Sequence, residues 1–325
     1  MSNTFCLYKN GVAYPSRVFG DTSQLEVFEE FKNEVAKVVS QEKVEILLAD
    51  LHPGYNTALY AQEVGARHNI PLIRIQHHLA HIYSVVLEHS LTDFVGIACD
   101  GMGYGSDETI WGGEVFLNDQ RIGHLEPQLQ LGGDAATEYP FRMLFSILSK
   151  FLPKEEIQKY VPLEYKEMDI LKKQLEERFN TPITTSCGRI LDAASALLGF
   201  SQKRTFDGSP AILLEQNSTE PYEVVPVIKD NVLLTTPLFQ FLIQNFEKDK
   251  KRLAASVQLY LARGLLEIAS AFKKPIAFSG GCAYNKIMFS FLEGKGVKLN
   301  KEIPCGDAGI SLGQIAYYVL AYPRN

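Results

Sequence analysis

Between residues 23 and 40 the apolar positions Leu25, Phe28, Phe31, Val35 and Val38 recur at helical spacing, and the pattern predicts an amphipathic helix. Ahead of it, two short apolar runs at 4–8 and 12–19 flank Lys9-Asn10-Gly11. Asn and Gly both tolerate positive φ, so this junction predicts a hairpin. A buried strand is expected at 44–51, a helix at 57–68, a strand at 71–75 and a helix at 77–89. The order β-β-α-β-α-β-α is that of an α/β layer built on a largely parallel sheet.

From Phe94 the pattern begins again. Strands are expected at 94–99 and 110–118 around a glycine-rich turn, with 121–127 continuing the meander. Residues 138–177 read as helical and polar, an insertion more than a core layer. A helix at 188–198, a long helix at 252–272, a strand at 275–278, a helix after Asn285, a strand at 297–300 and a terminal helix at 309–321 complete the chain. This divides it into two lobes, 1–92 and 93–325, with the terminal helix packing back on the first. Ligands of such folds bind at the carboxyl ends of the strands, in the cleft.

Composition narrows the function classes. The 325 residues are 46% hydrophobic and 22% charged, as in an ordinary globular protein. A formal charge of −6 argues against a nucleic-acid partner. The run Lys248-Asp249-Lys250-Lys251-Arg252 reads as the solvated start of a helix. Without a basic-then-apolar leader or an apolar stretch approaching about 18 residues, neither export nor a membrane partner is expected, and the compartment expected is the cytoplasm. The five cysteines are scattered and include no Cys-x-x-Cys pair, which fits neither a disulfide framework nor a cysteine zinc site.

Candidate chemistry gathers at strand ends. His77 and His81 stand at i, i+4 after an apolar strand, so on a helix their rings share one face and suit two metal ligands; a pair satisfied by backbone carbonyls is the alternative. His78 points about 100° away and makes a poor third ligand. Asp100 ends a strand, faces the cleft and opens Gly101-Met102-Gly103-Tyr104-Gly105, a series that either lets backbone N–H groups approach an anion or turns a tight hairpin. Gly112 and Gly113, mid-strand between Trp111 and Glu114, signal that something comes close to the backbone. Ser279-Gly280-Gly281 between strand and helix has the form of a phosphate or ribose cradle, and equally of a routine connection; Asn285 lies within reach of a ribose or base edge. Asp307 suits an N-cap or a cation ligand. Asp192, one acid in an apolar helix, requires a partner such as a ligand hydroxyl.

Taken in order, these segments resemble the carbamoyltransferase domain of the HypF family of hydrogenase-maturation proteins. The matching stretches are Asp50-Leu51-His52-Pro53, Gln76-His77-His78-Leu79-Ala80-His81, Asp100-Gly101-Met102-Gly103-Tyr104-Gly105 with Ile110-Trp111-Gly112-Gly113-Glu114, Gly132-Gly133-Asp134-Ala135-Ala136, Ser279-Gly280-Gly281 with Asn285, and the run from Gly306-Asp307-Ala308-Gly309 to Gln314. They span nearly the whole chain. The resemblance implies the two-lobed actin-like, Hsp70-like α/β fold (ASKHA), similar also to the TsaD enzymes and to antibiotic O-carbamoyltransferases. It implies a metal site, Fe or Zn, on His77, His81, Asp100 and Asp307, with Asp100 also the candidate for a catalytic role. It implies contacts to ATP, AMP or carbamoyl adenylate from Gly188, Asp192, Gly280, Gly281 and Asn285. The activity implied is transfer of a carbamoyl group from carbamoyl adenylate to the carboxyl-terminal cysteine of a HypE-type acceptor in [NiFe]-hydrogenase maturation. A small-molecule hydroxyl acceptor, and a nucleotide-binding subunit without turnover, are the alternatives. Leu79 departs from the third consecutive histidine frequent in the family. The acylphosphatase, cysteine-rich and YrdC-like parts of full-length HypF have no counterpart here, so a separate YrdC-like or acylphosphatase protein is expected as a partner.

Overall fold

The computed structural model describes residues 2–322. The Asn-Gly junction turns as its chemistry requires: strands Cys6–Lys9 and Val12–Pro15 pair antiparallel, with Asn10 and Gly11 at φ 52° and 81°. Helix Leu25–Gln41 buries Phe31 against Phe19, Tyr60 and Val64, and Phe5 and Val35 pack on the same cluster. Strands Leu47–Asp50 and Leu72–Ile75 pair in parallel across helix Asn56–His68. The single largely parallel layer expected for this part is not what forms. The hairpin and the parallel pair are separate two-stranded sheets, joined through the aromatic cluster on which Phe5 and Leu47 both pack.

The main sheet has nine strands and centres on Val95–Tyr104, flanked by Ile110–Leu117 (antiparallel) and Ile276–Ser279 (parallel). Side chains of the central strand alternate between two layers. Val95, Ile97 and Cys99 enter the larger core, covered by helices Pro140–Leu148, Cys187–Leu197 and Lys250–Ser270. Phe94 and Ala98 face the opposite layer, where helix His77–His89 packs with Leu79, Ile82, Tyr83 and Val86. Gly96 makes room for that helix, since a Cβ there would meet Ile82 at 2.6 Å. The terminal helix Ile310–Leu320 packs against His77–His89, where a Cβ on Gly313 would collide with the Ala80 carbonyl. It also touches the hairpin. The α/β class expected from the sequence is the class observed.

One expectation fails within the second part. Residues 138–177 are not simply a polar insertion: helix Pro140–Leu148 is core, with Met143, Leu144, Ile147 and Leu148 fully buried. The charged helix Tyr165–Glu176 lies a short distance downstream, and averaging the two hides the apolar one. The basic run does open a helix, with the Asp249 carboxylate capping Lys251 N and Arg252 N.

Candidate metal site in the cleft

Strand Leu72–Ile75 delivers the chain to Gln76, whose side-chain Oε1 accepts from Leu79 N at 2.9 Å and starts the next helix. The first turn therefore carries His77 and His81 on one face, ring centroids 4.8 Å apart. Asp100 stands where the central ladder is interrupted, between Cys99 and Gly103. That bulge releases its carboxylate from the sheet toward the histidines. Asp307 opens the 3₁₀ turn Asp307–Gly309 ahead of the terminal helix.

These four side chains converge. One ligand atom from each of His77, His81, Asp100 and Asp307 lies within 4.8 Å of all the others. His77 Nε2 is 3.3 Å from Asp100 Oδ2 and 3.8 Å from Asp307 Oδ1, and His81 Nε2 is 3.8 Å from Asp100 Oδ2. The histidines are 5% and 1% exposed, and neither Nε2 has a hydrogen-bond partner. Two orphaned imidazole nitrogens facing two carboxylates form a donor set that fits a divalent transition metal. The capping alternative for Asp307 is not realised, because its side chain caps neither the 3₁₀ turn nor the helix after it.

The four side chains are strongly coupled through their charges. Burial, then the like charge of Asp100, pushes the Asp307 carboxyl up. Burial works against the Asp100 carboxylate too, yet His77 and His81 hold it well below the usual range. Burial disfavours the His77 cation, while Asp50 and Asp100 hold its pKa well above the usual value. A cation between the two carboxylates would relieve the repulsion that raises Asp307, and would take the place of the proton that Asp50 and Asp100 stabilise on His77.

Asp50, at the end of strand Leu47–Asp50, completes the arrangement. Its Oδ2 accepts from His77 Nδ1 at 2.6 Å and its Oδ1 from His52 N at 2.8 Å. A carboxylate on Nδ1 fixes the tautomer, so the free electron pair of Nε2 faces the cluster. In the sequence Asp50 stands out only as part of the Asp50-Leu51-His52-Pro53 motif. An acid at a strand's carboxyl end, as at Asp100, was the signal for it.

The cluster opens into a cavity of about 1660 Å³, lined also by Gly188, Arg189, Asp192, Gly281 and Asn285. Each expected nucleotide residue has a structural task. Gly281 N donates to Asp100 Oδ1 at 3.1 Å, and a Cβ there would stand 2.7 Å from that oxygen. Gly280 adopts φ +108°, open to glycine, with the Cys99 carbonyl where a Cβ would sit. A Cβ on Gly188 would lie 2.9 Å from Gly101 Cα, so this glycine seats its helix on the bulge. Asp192 has an ion-pair partner within the protein, Arg189 Nη2 at 2.6 Å from Oδ2, yet neither of its oxygens accepts a hydrogen bond; Arg189 Nη1 donates to Thr137 Oγ1. Burial nonetheless raises the Asp192 carboxyl. Asn285 caps helix Lys286–Glu293 through Met288 N and donates to Gln258 Oε1 at 2.6 Å, which occupies one N–H and one oxygen lone pair of its amide. Among the glycines expected to meet an anion, Gly103 accommodates the His78 ring, and Gly112 meets the Asp100 carbonyl at 2.7 Å. Gly113 makes way for Leu125, whereas Gly101 faces open space on the cavity wall.

Comparison with known proteins assigns this arrangement to a lineage. The family model described as carbamoyltransferase, Kae1-like domain, second subdomain, matches residues 96–314, and the HypF Kae1-like domain matches residues 1–88. The chain belongs to the HypF carbamoyltransferase family. It is 38% identical to the probable carbamoyltransferase HypF of Methanocaldococcus jannaschii over 98% of its own length and 45% of that protein's. With the carbamoyltransferase HypF homolog of Cupriavidus necator it shares 30% identity, covering 97% of this chain and 88% of the relative. The chain thus spans under half of the longer relative and most of the shorter one. A crystal structure of HypF from T. kodakarensis superposes with a TM-score of 0.91 at 32% identity, over 98% of this chain and 46% of that one. Full-length HypF in a phosphate- and nucleotide-bound form superposes at 0.86 and 28% identity, over 99% of this chain and 45% of that one. The HypF family and its α/β fold are therefore those of this chain. Among the described residues no helix is long and apolar enough to cross a membrane.

Proposed function

We propose that this chain transfers a carbamoyl group from carbamoyl adenylate to an acceptor thiol, the carboxyl-terminal cysteine of a HypE-type protein in [NiFe]-hydrogenase maturation. The observation that carries the reading is the His77, His81, Asp100, Asp307 cluster opening beside Gly281 into one cavity, in a chain of the HypF family. A phosphate- and nucleotide-bound HypF of the same fold supports a nucleotide in this cleft.

In this scheme the acceptor thiolate attacks the carbamoyl carbon, a C–S bond forms, the C–O bond to the phosphate breaks, and AMP departs with the electron pair. A bound Fe or Zn would supply Lewis-acid polarisation of the carbamoyl or phosphate oxygens. His77 and His81 would hold it through Nε2, Asp100 and Asp307 through carboxylate oxygens, and Asp50 keeps His77 in the required tautomer. Gly101, facing open space, leaves its backbone free to approach the adenylate phosphate. Carbamoyl adenylate itself would come from a YrdC-like partner. Five free cysteines fit a reducing, cytoplasmic compartment.

The test supplies the purified chain with carbamoyl phosphate, ATP, a YrdC-like protein and the acceptor, and follows the acceptor's mass. The reading expects a carbamoyl increment on the terminal cysteine that the His77→Ala protein fails to produce while keeping its fold. An acceptor that stays unmodified under these conditions contradicts it.

A further inference from the structure

The turn that carries Asp50 ends on an aromatic side chain that the metal cluster does not use. The Asp50 carboxylate joins His77 to His52 N, and His52 Nδ1 in turn accepts from Gly54 N at 3.0 Å, which folds residues 50–54 into a compact loop. Tyr55 follows. Its carbonyl accepts from Ala58 N and Leu59 N at 2.9 Å, fixing its backbone at the start of helix Asn56–His68. Its ring lies flat on His52, centroids 4.0 Å apart and planes 8° from parallel, and the His52 ring is met edge-on by Tyr104 at 5.4 Å. Backbone and ring are therefore both restrained, and Tyr55 lines the same cavity as His77, Asp100 and Asp307. Those three and Asp50 are also the charges that its phenol senses.

We propose that Tyr55 is a substrate-contacting residue whose hydroxyl donates a hydrogen bond to an oxygen of the bound acyl phosphate beside the metal, and that His52 is its positioning residue. This rests on the carbamoyl-transfer reading of the cleft. The four cluster side chains are themselves carboxylates and imidazoles, so Tyr55 provides a neutral donor beside them. A donor already held in place costs no reorganisation when charge builds on the oxygen. The stack on His52 limits the ring to a single plane and reduces the entropy lost on binding. Because His52 N is held by the carboxylate that holds His77, the position of Tyr55 is tied to that of the ligand set.

The test measures binding of carbamoyl adenylate to the metal-loaded chain by calorimetry, in wild type, Tyr55→Phe, His52→Ala and His52→Phe, with metal content determined for each. Tyr55→Phe keeps the ring, the stack and the fold. Loss of one hydrogen bond to a charged oxygen should weaken binding about tenfold with metal content unchanged. His52→Ala should weaken binding by a smaller factor, and His52→Phe, which preserves the stack, should restore it. Equal affinity of wild type and Tyr55→Phe would overturn the assignment, as would a wild type that fails to bind the acyl phosphate. A wild type that binds it, loses affinity on Tyr55→Phe and yet transfers nothing to any acceptor would uphold the Tyr55 contact and refute the transfer reading.

Discussion

Asp50 ends its strand, whereas Asp100, expected at a strand end, sits at a bulge inside the longer strand Val95–Tyr104; each uses both carboxylate oxygens. Asp50 bridges His77 and His52 N; Asp100 faces the two imidazoles and accepts from Gly281 N. The prediction that separates orienting from ligating concerns Asp50. Asp50→Asn removes the charge that fixes the His77 tautomer, and metal affinity should fall about 10- to 100-fold with all four proposed ligands intact. Metal titration of the folded variant checks this; unchanged affinity would reduce Asp50 to a packing role. The i, i+4 histidines were legible from their spacing and the two cleft aspartates as acids beside glycine-rich turns, while their grouping into one site came with the family likeness. The His77–Asp50 contact was not, since 27 residues and a parallel crossover separate its partners. The commitment of Asn285 to Gln258, across the same separation, was equally hidden.

At the scale of elements, glycines govern how closely the layers approach. The terminal helix carries Gly313 against the Ala80 carbonyl, on the same helix turn as His77 and His81. Gly313→Ala forces the two helices apart and should destabilise the chain by about 2 kcal/mol or more, read as a drop in melting temperature. A neutral outcome would mean that the terminal helix is free to shift. A second element-scale prediction concerns Glu126, which caps helix Thr236–Gln244 from another strand end through Thr235 N, Thr236 N and Thr236 Oγ1 and pairs with Lys150. Burial opposes its charge, yet Lys150 and Thr236 hold its carboxyl below the ordinary value. A folded-state pKa below the unfolded one contributes stability above the unfolded value, and that contribution is lost as pH falls through the folded value. Glu126→Gln should therefore cost about 1 to 2 kcal/mol at neutral pH, with the gap to wild type closing below about pH 4. Denaturant melts across that range decide it, and a pH-independent gap would count against the charged cap. Most helices and the central strands could be read from periodicity. Pro140–Leu148 could not, because the charged helix Tyr165–Glu176 lies in the same window, and the separation of hairpin from parallel pair depends on strand pairing that no local pattern encodes.

Across the whole molecule, the ligand set joins separate parts of the chain. His77 and His81 arrive after the two-stranded parallel sheet, Asp100 from the centre of the nine-stranded sheet and Asp307 from the turn before the terminal helix. A cation bound by all four would tie these segments together, so saturating metal should raise the melting temperature of wild type. A site at one hundred times its dissociation constant adds about 2.7 kcal/mol, and a chelator should reverse the rise. The carbamoyl chemistry could not be read from these residues by spacing alone; it came with the family likeness carried by motifs from Asp50 to Gln314. In the proposed reaction the metal-loaded cluster moves a carbamoyl group to a thiol. The most direct measurement is the mass of a HypE-type acceptor after incubation with carbamoyl adenylate and this chain, metal-loaded or stripped by chelator. The account predicts a carbamoyl adduct with the loaded protein and none with the stripped one or with His77→Ala. An adduct formed equally by stripped protein would contradict it.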